Sequence, residues 1–405
     1  MSFRRAFWVV AALYALGMAF STVPTPLYPV YEQERHYGVA TMTVVFAIYP
    51  LAVMASVHLV GHVSDLVGRR RALAQALALE AASAAAFVAS AALPVLLLAR
   101  VVCGIGVGIL TATAAAYLSE LDAGANRRRS DAVTTGATLG GFGAGALVSG
   151  LLATVAPAPL HLPFLLFLAL LIPASLAARD LPVTLPAPTG GSPFRSPRIA
   201  VPRDHRRRFI AACAAGFAAL SLLSVFTALA PGFLTRALHE AQPALAGLTA
   251  ATCCIAAGAG QAALPAPVRR HLMGAGLVLL PSGVLVLILA VWRESFPLFL
   301  AAGAVGGVGS GALLNRALAT VDRIAPPSAR AEAFAGFYMV GYLNGTLPIV
   351  GLGVLTQTAG PLAAVGAYAG MLAIVLGLVG PVRSGVPPAF TPAADPALVA
   401  SSLDR

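Results

Sequence analysis

The sequence contains no lysine; every one of its 26 basic residues is an arginine. With lysine goes the phosphate-cradling Gly-Lys-Ser/Thr loop, so ATP hydrolysis has no support. Charge of either sign is scarce, at 10% of residues, against about 25% in a typical soluble domain. The four cysteines, Cys103, Cys213, Cys253 and Cys254, lie inside apolar stretches without metal-ligand spacing and read as small hydrophobes. No His/Glu metal spacing or Ser/His/Asp arrangement stands out, and no soluble domain is present to house one. The chain is therefore not expected to be an enzyme or to carry a cofactor or metal. Nor does the net charge of +11 point to nucleic acid, because of where the arginines fall.

What the 405 residues do have is hydrocarbon: 59% are hydrophobic and the mean hydropathy is +0.86. Charged or proline-rich breaks divide the chain into twelve apolar segments, near 7–30, 41–62, 72–92, 94–118, 132–155, 159–178, 209–233, 244–266, 272–292, 296–319, 331–356 and 360–381. Each is close to the roughly 20 residues that cross a bilayer core of about 30 Å. Phe7 to Tyr28 is long enough to be a retained first span instead of a signal peptide. The expected fold is all-α and polytopic, with 12 transmembrane helices in two pseudo-symmetric six-helix bundles. With both termini cytoplasmic, 22 arginines fall on that side, only Arg35, Arg236 and Arg293 on the other, and Arg100 within a span. The positive-inside rule favours this orientation. The expected location is a cell membrane, of bacterial inner-membrane type.

The longest break, 180–208, holds six prolines, Gly190-Gly191 and the run Arg206-Arg207-Arg208. It is expected to be a cytoplasmic linker between an N-terminal bundle, 1–179, and a C-terminal bundle, 209–382, with a cytoplasmic tail at 383–405. The bundles echo each other. Gly104-x-Gly106-x-Gly108 matches Gly307-x-Gly309-x-Gly311, Gly141-x-x-x-Gly145 matches Gly341-x-x-x-Gly345, and Thr22 with Pro26 matches Thr227 with Pro231, at nearly constant offsets. Paired glycine-rich and proline-broken segments mark transporter halves related by a pseudo-two-fold axis.

The densest charge in the first hundred residues is the turn Gly61-His62-Val63-Ser64-Asp65-Leu66-Val67-Gly68-Arg69-Arg70-Arg71. Hydrocarbon tolerates such charge poorly, so the turn belongs at a water interface. Its Gly61-x-x-x-Asp65-x-x-Gly68-Arg69-Arg70 resembles the signature loop between the second and third helices of the major facilitator superfamily, with Leu66 where that pattern has an Arg. The resemblance implies a cytoplasmic gate in which Gly61, Asp65, Gly68, Arg69 and Arg70 meet the acids Glu120, Asp122 and Asp131 on neighbouring helix ends; topology marking alone is the plainer alternative.

Arg100 is the most costly residue, charged inside an apolar span. Its stripe with Gly104 and Gly108 resembles the superfamily's fourth-helix motif, whose Arg is associated with proton coupling; snorkelling to the outer interface is the alternative. Glu80, flanked by apolar residues, is the leading candidate proton acceptor or else a structural carboxylate. Glu32, at the outer end of the first segment, is placed either to approach Arg100 or to stand as a solvated loop charge. Gly141, Gly145 and Gly150 resemble the fifth-helix motif of 12-helix drug–proton antiporters, with Ala146 and Ser149 departing from it; with Gly104 and Gly108 they also suit close helix packing. Tyr28, Asn315, Tyr338, Tyr342 and Asn344 are candidate cargo contacts. The function implied is secondary active transport by alternating access: proton-coupled export of small amphipathic molecules by a monomer, with cargo, protons and membrane lipids as partners. Import or facilitated diffusion of a sugar or organic acid, and a non-transporting receptor or scaffold, remain open alternatives.

Overall fold

The computed structural model describes residues 1–60, 67–122, 127–184, 205–240, 242–262, 272–325 and 330–379. Gly61 and Asp65, most of the linker 180–208, and the tail 383–405 lie outside them. All regular structure among the described residues is helical. In lipid each backbone N–H must find its acceptor within its own segment, and runs of Ala and Leu pay little for doing so as a helix.

The N-terminal bundle consists of α1 (Phe3–Thr22), α2 (Tyr28–Arg35), α3 (Val39–Val60), α4 (Arg69–Ala89), α5 (Leu93–Leu121), α6 (Arg127–Val155) and α7 (Leu162–Ala177). The C-terminal bundle consists of α8 (Arg206–Ser224), α9 (Ala230–Ala237), α10 (Pro243–Ala262), α11 (Leu272–Trp292), α12 (Phe296–Ile324), α13 (Arg330–Leu343), α14 (Leu347–Ala359) and α15 (Pro361–Gly377). Among the described residues eleven helical spans are long and apolar enough to cross a membrane. The twelfth apolar helix, α15, has 17 residues, about 25 Å of rise. Prolines sit in the first turns of α5, α7, α12 and α14, where a missing N–H costs nothing.

Three spans are broken. Pro24, Pro26 and Pro29 interrupt the first, which passes from α1 to α2 through a 3₁₀ turn at Thr25–Leu27. The seventh passes from α8 to α9 through a π turn at Val225–Leu229, just before Pro231. The eleventh breaks between α13 and α14. Helices α5 and α12 are both 29 residues long, and their first and last residues keep the spacing seen between their glycine triplets.

The glycines set the packing, and they set it twice. A Cβ on Gly104 would lie 2.6 Å from Ala52 and from the Tyr49 carbonyl of α3, and one on Gly108 would lie 2.6 Å from Ser56. On the equivalent pair, Gly307 would meet the Cys253 carbonyl of α10 at 2.6 Å, and Gly311 would collide with that of Ala257. Gly141 and Gly145 bring α6 onto the backbone of α1 at Ala15 and Ala19. The two bundles meet along α6 and α10, where Cβ atoms on Gly150 and Gly247 would collide with the carbonyls of Pro243 and Ala146. They also meet where α3 packs on α13 and α14.

Candidate functional site in the helix core

Arg100 lies in the second turn of α5 and is completely buried. Its guanidinium turns toward α1 and α3. Nη1 donates to the Ser21 carbonyl at 2.8 Å, and the ring of Tyr49 lies 4.5 Å from the guanidinium carbon, with Phe46 at 5.7 Å. These contacts cover one face and one corner of the cation. Nε and Nη2 have no hydrogen-bond partner, and neither does the buried hydroxyl of Tyr28, which lies within electrostatic range of Arg100. The break at Thr25–Leu27 brings Tyr28 to this point.

Glu80 occupies the middle of α4 and is likewise completely buried. Two glycines make room for it. A Cβ on Gly17 of α1 would lie 2.8 Å from Oε2, and one on Gly106 of α5 would lie 3.0 Å from Cγ. Neither carboxyl oxygen has a hydrogen-bond partner. Above the same seat, Tyr14 shares a 2.8 Å hydrogen bond with Thr138 of α6.

Arg100 is not bonded to Glu32, the acid expected near it, nor to Glu80. Gly106, against which Glu80 rests, is six residues further along α5, about 9 Å in rise and about 240° around the axis. Glu80, on α4, therefore meets α5 on a different side from the one that Arg100 leaves. Glu32 instead pairs across the halves with Arg236 of α9, at 3.4 Å.

At the arginine-rich end, Arg69 Nε donates to Glu120 at 3.0 Å, and Glu120 also accepts from Thr184. Arg129 lies 3.6 Å from Asp122 and over the rings of Phe7 and Trp8. Arg70 is half-buried beside Tyr117, and Asp131 is exposed in the second turn of α6. Gly68 takes φ +88°, the left-handed region that glycine tolerates, as it enters α4. These pairs join elements of the same half. Three side-chain bonds join the two halves at the opposite end: Glu32 to Arg236, the Ala40 N–H to Gln357 at 3.1 Å, and the Ala244 N–H to Thr154 at 3.0 Å.

The remaining polar candidates separate into two kinds. Asn315 donates to the Gln261 carbonyl at 2.9 Å and ties α12 to α10. Asn344 is buried in the break between α13 and α14, where it donates to the Gly341 carbonyl and leaves Oδ1 without a partner. Tyr338 and Tyr342 are half-buried on α13 with ring centroids 6.4 Å apart, within electrostatic range of Tyr14 across the halves.

Sequence reasoning overlooked Tyr49, Gly17 and Gln357. Tyr49 follows Phe46 at one-turn spacing, a detectable stripe. Gln357 is a lone amide near an apolar helix end. Nothing marked Gly17 apart from the chain's other 39 glycines.

The family model described as Major Facilitator Superfamily matches residues 7–268. No curated protein matches the sequence significantly. Among solved structures, a bacterial homologue of the human lysosomal transporter Spinster, inward-facing and unoccupied, is similar with a TM-score of 0.74 at 14% identity, over 96% of this chain and 99% of that one. A mutant of the nucleoside transporter NupG gives 0.72 at 15% identity over 94% and 100%. The human organic anion transporter MFSD10 gives 0.60 at 18% identity over 94% and 100%. At such identities these likenesses speak for the fold alone. With more than half of its length matched and the fold shared end to end, this chain belongs to the major facilitator superfamily and is a multi-pass membrane protein with the transporter fold.

Proposed function

We propose that the protein exports small amphipathic organic molecules in exchange for protons, by alternating access, as a monomer of the drug–proton antiporter type. In this reading residues 1–179 and 209–382 are the two moving halves, joined by a cytoplasmic linker at 180–208 and followed by a cytoplasmic tail. The arginine-rich end faces the cytoplasm, a choice supported by the strong bias of arginine to that side. The loop 61–71, with Glu120, Asp122 and Asp131, closes that end when the transporter faces outward. The pairs Glu32–Arg236 and Ala40–Gln357 close the other.

The observation that carries the coupling is the seat of Glu80. A carboxyl wholly out of water, with neither oxygen bonded and a bare glycine backbone beside it, cannot change its charge without changing what surrounds it. A proton at Glu80 thus decides whether α1 can stay packed on α4 and α5. That is a differential interaction with two arrangements of the helices, as a coupled switch requires.

Cells overproducing the protein should resist some members of a chemically broad toxin panel. In proteoliposomes a hit from that panel should move against an imposed pH gradient, and Glu80→Gln should abolish the dependence on the gradient. Flux of the hit that ignored the gradient in the wild-type protein would end the antiport reading.

A further inference from the structure

We infer that Arg100 seats a carboxylate of the cargo, which makes the transported molecule an organic monoanion with an apolar body. The inference rests on the transport reading for the route by which such a molecule arrives, but not on proton coupling.

Arg100 is half-satisfied in a particular way. Nη1 is used by Ser21, one face is covered by Tyr49, and the edge formed by Nε and Nη2 is unpartnered. That edge presents two parallel N–H groups, the fork that binds a planar carboxylate in bidentate fashion. Among the described residues no carboxylate lies within ion-pair distance of it. Leaving a buried guanidinium without a counter-anion is costly, and stacking on two rings offsets the cost only in part. The Tyr28 hydroxyl adds a second unpartnered, fully buried donor within electrostatic range.

Access follows from the position of Tyr28. Its side also lines a crevice between the halves with Glu32, Met42, Thr43, Gly232 and Thr356. Parting the halves at the end held by Glu32–Arg236 would uncover Tyr28, which lies within electrostatic range of Arg100. One cation with one free edge neutralises one negative charge, which favours a carboxylate over a doubly charged phosphate. Phe46 and Met42 offer apolar surface to the rest of the molecule.

The test is thermal unfolding of the full-length protein in lipid nanodiscs, with benzoate, phenylpropionate and naphthoate as probes and their amides as controls. The carboxylates should raise the unfolding midpoint and the amides should not. In Arg100→Gln the concentration needed for half the shift should rise about 10- to 100-fold. Arg100→Lys, which keeps the charge but not the fork, should fall between the two. Tyr28→Phe, a smaller change that serves if the arginine variants do not fold, should weaken the carboxylates and leave the amides unaffected. Equal shifts by amides, no shift by any carboxylate, or an undiminished response in Arg100→Gln or Tyr28→Phe would overturn the inference. Loss of carboxylate binding with gradient-driven efflux intact removes this inference alone, whereas binding without gradient dependence removes only the coupling.

Discussion

Replacing Glu80 with methionine should make the protein more stable and less able to couple. The carboxyl makes no hydrogen bond with either oxygen and is completely buried, so nothing is lost when it goes. A buried, unsatisfied polar group costs on the order of 1–3 kcal/mol. Methionine keeps the unbranched stem that fits between Gly17 and Gly106 and has one heavy atom fewer, so overpacking against Gly17 is avoided. The expected gain is therefore about 1–3 kcal/mol, read as a rise of a few degrees in the unfolding midpoint in detergent. Glu80→Gln, which keeps an unsatisfied polar head, should leave the midpoint close to that of the wild type. Both variants should lose dependence of transport on the pH gradient, the trade of function for stability expected at a strained site. A methionine variant that unfolds several degrees earlier would show that the carboxyl is held by stabilising bonds and refute the account of an unsatisfied group.

Three further outcomes follow from the geometry. Gly145→Leu should cost about 1–3 kcal/mol or abolish folded yield, because its Cβ would collide with the Ala19 carbonyl, whereas Gly140→Leu, whose Cβ meets nothing within 4 Å, should be tolerated; fluorescence-detected size exclusion compares the two. Arg236→Gln should lower stability by no more than about 1 kcal/mol, since the pair with Glu32 is partly exposed, yet raise thiol labelling of a cysteine placed at Thr43; unchanged labelling would remove the pair from the closure of that end. Glu120→Gln should weaken the hold on Arg69 and increase the accessibility of the arginine-rich end in the outward-facing state, with a charge-swapped Arg69→Glu/Glu120→Arg pair restoring it in part; failure of the swap would point to Thr184 as the partner of Glu120 that matters.

The sequence disclosed the spans, the three prolines that break the first, and the cost of Arg100, because each is a property of one helix and its neighbours along the chain. Matching glycine spacing even told which helices would share a packing pattern, as α5 on α3 and α12 on α10 do. It could not tell what stands opposite a residue. Glu32 looked free to approach Arg100, but its partner is Arg236, more than two hundred positions away in the other half. Arg100 and Glu80 both sit in the N-terminal bundle, and only the folded chain shows that Glu80 rests against Gly106 while Arg100 turns toward Ser21 and Tyr49. Asn315 had the polarity of a cargo ligand and is a strut to Gln261. Helical periodicity gives a residue's face; the identity of the facing helix comes from tertiary packing, which periodicity does not contain.

The seam of α6 and α10 has a mechanical meaning beyond its closeness. At Gly150 and Gly247 the nearest atoms across the seam are main chain, and at Gly143 the main chain of Ala251 lies closer than the Cβ of Cys254. Interlocked side chains act as gear teeth, and tilting one helix on another then requires each tooth to leave its slot. Where glycine backbones meet, the teeth are few, and Leu139 against Gly258 and Thr154 against Ala244 are among those that remain. On the alternating-access reading proposed above, this line is the bearing on which one half would tilt against the other, with the ion pair and the amide bond near Ala40 as detachable fasteners on one side of the axle.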